Sequence, residues 1–265
     1  MRTAGEGAMS KLSDELGEEV VRLRSELAKQ ERGVRAREEE FGRYIAQLRG
    51  ALRRERAHAD ELSRSYVAAV RALTNAVEAR DAYTGKHAER VAAYGLELAM
   101  LVDPALAANP DTEFGFLLHD IGKVAVPDAI LHKPSRLTRQ EQRVMRRHPV
   151  VGFEILSHID FLDVQAKQVV RHHHERWDGH GYPDGLAGLE IPRPARIFAV
   201  ADTLDAITTD RPYRPAASID AAREEIAGAA GRQFDPEAVE ALMELPDETL
   251  ERIRSEAVLT STAAP

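Results

Sequence analysis

The chain has no cysteine among its 265 residues. That excludes a disulfide framework and any thiolate metal site, so a bound metal could rely only on His, Asp or Glu. Aromatic residues are also scarce, at 5%, a balance that leans toward Ala- and Leu-rich helices rather than sandwich sheets. No uninterrupted apolar run is long enough to cross a bilayer, and Met1 to Lys11 lacks a basic segment followed by an apolar core. A cytoplasmic location with no membrane partner is therefore expected. Positive charge is in deficit as well: the formal net charge is −8, which argues against bulk binding to nucleic acid, because phosphate neutralisation needs a basic face. A small anionic ligand remains open wherever basic residues cluster.

The length suffices for one well-buried domain and an appendage. From about Ser10 to Ala59 there is no proline, Glu and Arg are dense, and apolar positions recur at alternating spacings of four and three. These are Leu16, Val20, Leu23, Leu27, Val34, Phe41, Tyr44 and Leu48, with Gln30 and Arg37 at two seam positions. The pattern predicts a coiled-coil helix, and with it a homodimer, since a helix this polar cannot bury its stripe alone. The composition then turns Ala- and Val-rich over Tyr66 to Arg80. The expected division is a coiled-coil dimerisation helix over 1–62 and a globular domain over 63–265. Thr138 with Glu141 forms a capping box, Pro149 and Pro194 open helices, and Asp235-Pro236 supplies a cap and a first helical position. No segment alternates convincingly as a strand, so an all-α fold is expected. The segment Asp178 to Pro194, with four glycines and three prolines, reads as a long functional loop.

Ten histidines make the metal question worth pursuing. Leu117-Leu118-His119-Asp120-Ile121-Gly122-Lys123 reads as the end of a buried helix stopped by Gly122. An ionised Asp and a neutral imidazole among apolar neighbours need a partner, and a divalent cation satisfies both. A core histidine bonded to a neighbouring carboxylate would explain one such pair. It does not explain His87, His148, His173-His174 and Asp202, each on or beside a further apolar helix. Separate helices delivering imidazoles and carboxylates inward is how bundle cores build metal sites, and paired cations suit phosphodiester hydrolysis.

These residues, in this order, resemble the ligand signature of the HD-GYP family. Asp178-Gly179-His180-Gly181-Tyr182-Pro183 is similar to its Gly-Tyr-Pro loop. Ile130-Leu131-His132-Lys133-Pro134, Ile191-Pro192, Asp210-Arg211-Pro212-Tyr213-Arg214 and Gln233-Phe234-Asp235-Pro236 extend the likeness over roughly 81–242. The resemblance implies an HD-domain helical bundle that hydrolyses cyclic di-GMP to linear pGpG, sometimes onward to GMP, in bacterial second-messenger signalling. It implies His87, His119, Asp120 and Asp202 around one metal, with Asp120 bridging to a second held by His148, His173 and His174. Some members carry a Glu four residues before the first ligand His that helps hold a third metal. Tyr83 stands there in this chain, which predicts a two-metal centre of iron or manganese.

Lys123, beside Asp120, is implied to be a substrate or catalytic residue, and Arg211 and Arg214 a phosphate-binding pair suited to bidentate contacts. Tyr182 is expected to stack on a guanine or meet the phosphate. Asp205 shares a helix face with Asp202, and either orients a ligand or pairs with Arg214. Glu175 is a candidate acceptor for His174, and Asp81 and Thr84 are candidate caps. His58, His132, His158, His172 and His180 read as peripheral. Two other readings are a phosphodiesterase for a different cyclic dinucleotide and a non-catalytic cyclic-dinucleotide-binding module.

Overall fold

The computed structural model describes residues 3–80, 86–210 and 215–259, with side chains from 16 to 255 within them. Tyr83, Asp81, Thr84, Arg211 and Arg214 therefore lie outside the described residues. The fold is all-α: among the described residues there is no strand, only two isolated bridges, Asp178 with Ala187 and Ala230 with Phe234. The chain divides into two compact units, 1–64 and 65–265.

The first unit is helical throughout its described length, part of a helix α1 that runs from Thr3 to Glu78. Its eight apolar seam residues from Leu16 to Leu48 are each 46–66% exposed. A stripe of that length left in water in a single chain has lost the burial that would stabilise it.

The second unit is a helical domain whose centre is the pair α2 (His87–Val102) and α9 (Arg193–Thr208). Around it lie α3 (Pro104–Ala107), α4 (Pro110–Leu117), α5 (Asp128–Leu131), α6 (Arg139–Met145), α7 (His148–Ser157) and α8 (Val164–His172), with α10 (Ile219–Ala227), α11 (Pro236–Glu244) and α12 (Asp247–Leu259) completing the chain. Tyr94, Leu98, Phe116, Leu118, Phe198, Leu204 and Leu242 are almost fully buried, and each such side chain contributes roughly 1.5–3 kcal/mol through removal from water. The last turns of α1 belong to this core, with Val70 and Val77 buried. Thr74 Oγ1 donates to Leu117 O at 3.2 Å, and Arg80 donates to Val124 O at 2.9 Å.

Helix starts follow the local chemistry. Thr138 and Glu141 make a reciprocal capping box, Pro149 and Pro194 occupy first-turn positions, and the Asp235 carboxylate accepts from Glu237 N–H. The His119-Asp120 segment departs from the expected helix end. α4 stops at Leu117, and His119 and Asp120 sit on a turn before a 3-10 helix, Ile121–Ala125. Gly122 is therefore not the stop signal. A Cβ there would lie 1.9 Å from His148 O and 2.6 Å from Gly152 N, so glycine at this point lets the turn press against the start of α7.

Candidate metal centre

Five segments converge on one place. His87 opens α2, His119 and Asp120 lie on the turn after α4, His148 opens α7, His173 and His174 follow α8, and Asp202 lies on α9. Phe198, Asp202 and Asp205 stand at i, i+4 and i+7 of α9 and so share a face. The Phe198 ring lies 4.7 Å from that of His119 and 5.8 Å from that of His173, an apolar wall beside the imidazoles. His87, His119, His148 and His173 are all buried.

The donor atoms form two groups, His87 with His119 and Asp202, and His148 with His173 and His174, each gathered within 4.8 Å. Asp120 stands between them: Oδ2 is 3.1 Å from His119 Nε2, and Oδ1 is 3.2 Å from His148 Nε2. Lys123 Nζ lies 2.8 Å from Asp120 Oδ2.

Hydrogen bonds settle the tautomers. His119, His148 and His173 each donate Nδ1–H at 2.9 Å to the carbonyl three residues earlier, those of Phe116, Met145 and Val170. A carbonyl cannot donate, so Nδ1 carries a proton in each, and in His148 and His173, which burial holds neutral, the bare Nε2 lone pair turns to the centre. The Nε2 atoms of His148 and His173 face each other at 3.1 Å. Two lone pairs so close repel unless a positive charge lies beside both, which is the fit expected of a cation site.

His87 also donates through Nδ1, with a carboxylate in place of the carbonyl. Its Nδ1 donates to Asp205 Oδ2 at 2.7 Å, and Nε2 is 3.3 Å from Asp202 Oδ1. Asp205 is held in turn by Arg90, whose Nε and Nη2 donate to its two oxygens at 2.5 and 3.0 Å. Among the described residues Asp205 pairs with Arg90 on α2, and Arg214 lies outside them. Arg90 was missed by sequence reasoning. The matching spacings His87-x-x-Arg90 and Asp202-x-x-Asp205 on two apolar helices were the available signal.

Protonation follows from burial and neighbours. Burial lowers His148 and His173, and takes His174 down to about 3 with help from the neighbouring His148. These rings are neutral near pH 7. Burial raises Asp120 and Asp202, but Lys123 and His119 outweigh it at Asp120 and the His87 hydrogen bond outweighs it at Asp202, which falls to about 2. Burial likewise opposes charge on His87, yet its hydrogen bonds to the Asp202 and Asp205 carboxylates carry it up to about 10. The ionised carboxylates and the neutral His148, His173 and His174 are what a hard-to-borderline divalent cation requires, and His87 has to release its Nε2 proton to join them.

Tyr182 stacks on His174, ring centroids 4.7 Å apart at 29°, and burial raises its hydroxyl pKa. Glu175 does not meet His174. Its Oε1 accepts from the N–H groups of Asp184 and Gly185 at 2.7 and 3.0 Å, tying down the Gly-Tyr-Pro loop. Asp184 also binds Arg171 and His172 Nε2, so His172 is a buried anchor rather than a peripheral residue, outside both donor groups. His132 donates to the Arg80 carbonyl, and His180 is exposed.

A family model described as HD domain matches residues 71–238. Among curated proteins, the chain is 45% identical over 177 residues to the 3′3′-cGAMP-specific phosphodiesterase 2 of Vibrio cholerae, covering 66% of this chain and 34% of that protein. It is 45% identical to the cyclic di-GMP phosphodiesterase response regulator RpfG of Xanthomonas campestris, with 64% and 46% covered, and 39% identical to a cyclic di-GMP phosphodiesterase of Thermotoga maritima, with 68% and 49% covered. The chain thus spans a third to a half of the length of these relatives. A crystal structure of a cyclic GMP-AMP-specific phosphodiesterase of V. cholerae has the same fold, with a TM-score of 0.51 at 19% identity over 70% of this chain and 53% of that one. With the family model covering well over half of its residues, and every segment of the donor set inside the match, the chain belongs to the HD-domain family.

Proposed function

We propose that the chain hydrolyses cyclic di-GMP to linear pGpG at a pair of divalent cations, iron or manganese, held by its His and Asp side chains. The observation that carries this reading is Asp120, whose two oxygens each face the Nε2 of a different donor group. HD-domain phosphohydrolases are metal-dependent, and both groups here could hold metal. One cation would have His87, His119, Asp120 and Asp202, and the other Asp120, His148, His173 and His174. Cations held there supply Lewis acidity toward phosphoryl oxygens and an activated water.

The chain's own residues do the positioning. The carbonyls of Phe116, Met145 and Val170 hold three imidazoles in the donor tautomer, and Asp205 with Arg90 does so for His87. Asp120 and Lys123 are the candidate catalytic residues. Lys123 keeps an ammonium at the edge of the site, where phosphoryl transfer gathers negative charge. Tyr182, Arg211 and Arg214 are the proposed substrate contacts, the two arginines on the strength of their sequence pattern. Tyr83 offers no carboxylate for a third cation, which favours pGpG as the end product.

Residues 1–62 are proposed to join two copies through the exposed seam of α1, leaving 63–265 as the catalytic part. A doubly anionic nucleotide does not cross a bilayer, so a cytoplasmic location belongs to the same reading.

A second substrate has specific support, since relatives at equal identity carry the names of cyclic di-GMP and of cGAMP phosphodiesterases. Turnover of both dinucleotides by the purified, metal-loaded chain separates them. The expected result is pGpG from cyclic di-GMP at the higher kcat/KM. Faster opening of 3′3′-cGAMP would replace the substrate, and tight binding of both without product would make the chain a binding module.

A further inference from the structure

We propose that Arg146 is a further substrate-binding residue, whose guanidinium takes a phosphate of the cyclic dinucleotide. This rests on the function proposed above and adds a contact to it.

Arg146 follows the last turn of α6, two residues before His148. Its guanidinium carbon lies 4.9 Å from the centre of the Tyr182 ring, which stacks on His174, whose ring is 4.2 Å from that of His173. Guanidinium, phenol and imidazole thus follow one another from an exposed side chain to the donor set. A cation held over a ring face by its charge keeps its N–H groups available as hydrogen-bond donors, and a guanidinium's N–H edge forks onto phosphate oxygens.

That edge is unspent. Four other cations of the domain are committed: Lys123 to Asp120, Arg90 to Asp205, Arg171 to Asp184 and Arg176 to Asp178. Among the described residues no carboxylate lies within ion-pair distance of Arg146. The same holds for Arg139 and Arg143, which precede it at i−7 and i−3 on one face of α6 and are likewise exposed. The acid of this helix, Glu141, is taken by Lys133 and by the Thr138 cap. Like charges at this spacing repel, so this face works against the helix that carries it unless an anion offsets it. This basic face lies beside the proposed metal centre, where it raises the local concentration of anions. A cyclic dinucleotide has two phosphodiesters, and only one can be the reacting group. The other needs a cation beyond the centre, and Arg146 is placed to supply it.

The test compares wild type, Arg146→Ala, Arg146→Lys and Arg139→Ala for metal content, kcat and KM with cyclic di-GMP, and for binding of a fluorescent cyclic di-GMP at low and high salt. Arg146→Ala should raise KM and the dissociation constant about tenfold, the scale of one charge-assisted contact, with metal content retained and kcat within about twofold. It should also blunt the salt dependence of binding. Lysine should recover part of the loss, because it restores charge but not the fork. Arg139→Ala should change KM little. An unmoved KM in Arg146→Ala overturns the proposal, as does an equal rise in Arg139→Ala, which would reduce the effect to bulk charge. A fall in kcat and metal content with KM unchanged would make Arg146 a mere support for His148, and also overturns it. If wild type opens neither cyclic dinucleotide, the underlying function fails. Wild-type turnover with an unmoved Arg146→Ala variant removes this contact alone.

Discussion

Asp205 accepts the Nδ1 proton of His87 and two N–H groups of Arg90, leaving His87 Nε2 as the nitrogen that faces Asp202. Partners of this kind fix the orientation and basicity of a ligand without touching the metal, and losing one typically costs about 10–100-fold in metal affinity. Asp205→Asn should therefore weaken metal binding by that order while the far-UV circular dichroism stays unchanged. A metal titration giving the wild-type affinity would remove the role. Gly122 presents a steric counterpart. With a Cβ 1.9 Å from His148 O, Gly122→Ala must push apart the two segments carrying Asp120 and His148, and should destabilise the fold by about 1–3 kcal/mol in denaturant titration. The proposed ligands were legible in the sequence because each is an imidazole or carboxylate set in an apolar run. Arg90 was not, because an arginine on a helix is solvated far more often than it is buried against a carboxylate.

Element starts were easier to read than element ends. Thr138 with Glu141 and Asp235 with Pro236 act within one turn of chain, so the sequence alone determines them. The end of α4 depends on α7, a separate element that Gly122 must approach, and no local pattern encodes that distance. Glu175 was misread for a similar reason. Its acceptor role is fixed by the fold-back of the Gly-Tyr-Pro loop, where a Cβ on Gly181 would lie 2.4 Å from Arg176 N. In α1, the apolar seam from Leu16 to Leu48 is exposed in the single chain. If it pairs two copies, Leu23→Glu with Leu27→Glu should turn a dimer into a monomer by light scattering. An unchanged mass would show that these positions join nothing.

For the whole molecule, proton linkage sets the stability of the metal-free form. His174 is pushed down to about 3, and His148 and His173 are lowered, so below the unfolded value of 6.5 the unfolded chain binds more protons than the folded one. Stability is then lost as pH drops below 6.5. His87 is raised to about 10, so its contribution is full below 6.5 and is lost as pH rises through 10. The metal-free chain should melt highest near neutral pH and lower at both pH 5 and pH 9, and a melting temperature that climbs steadily from 7 to 9 would contradict the His87 assignment. The central claim is a cyclic dinucleotide phosphodiesterase with two cations on His and Asp ligands. Metal analysis of the purified chain, coupled to chromatography of its products from cyclic di-GMP, tests it most directly. About two iron or manganese ions per chain and accumulation of pGpG are predicted. A fully metal-loaded chain that leaves cyclic di-GMP intact, or one that opens it with no metal bound, would contradict it.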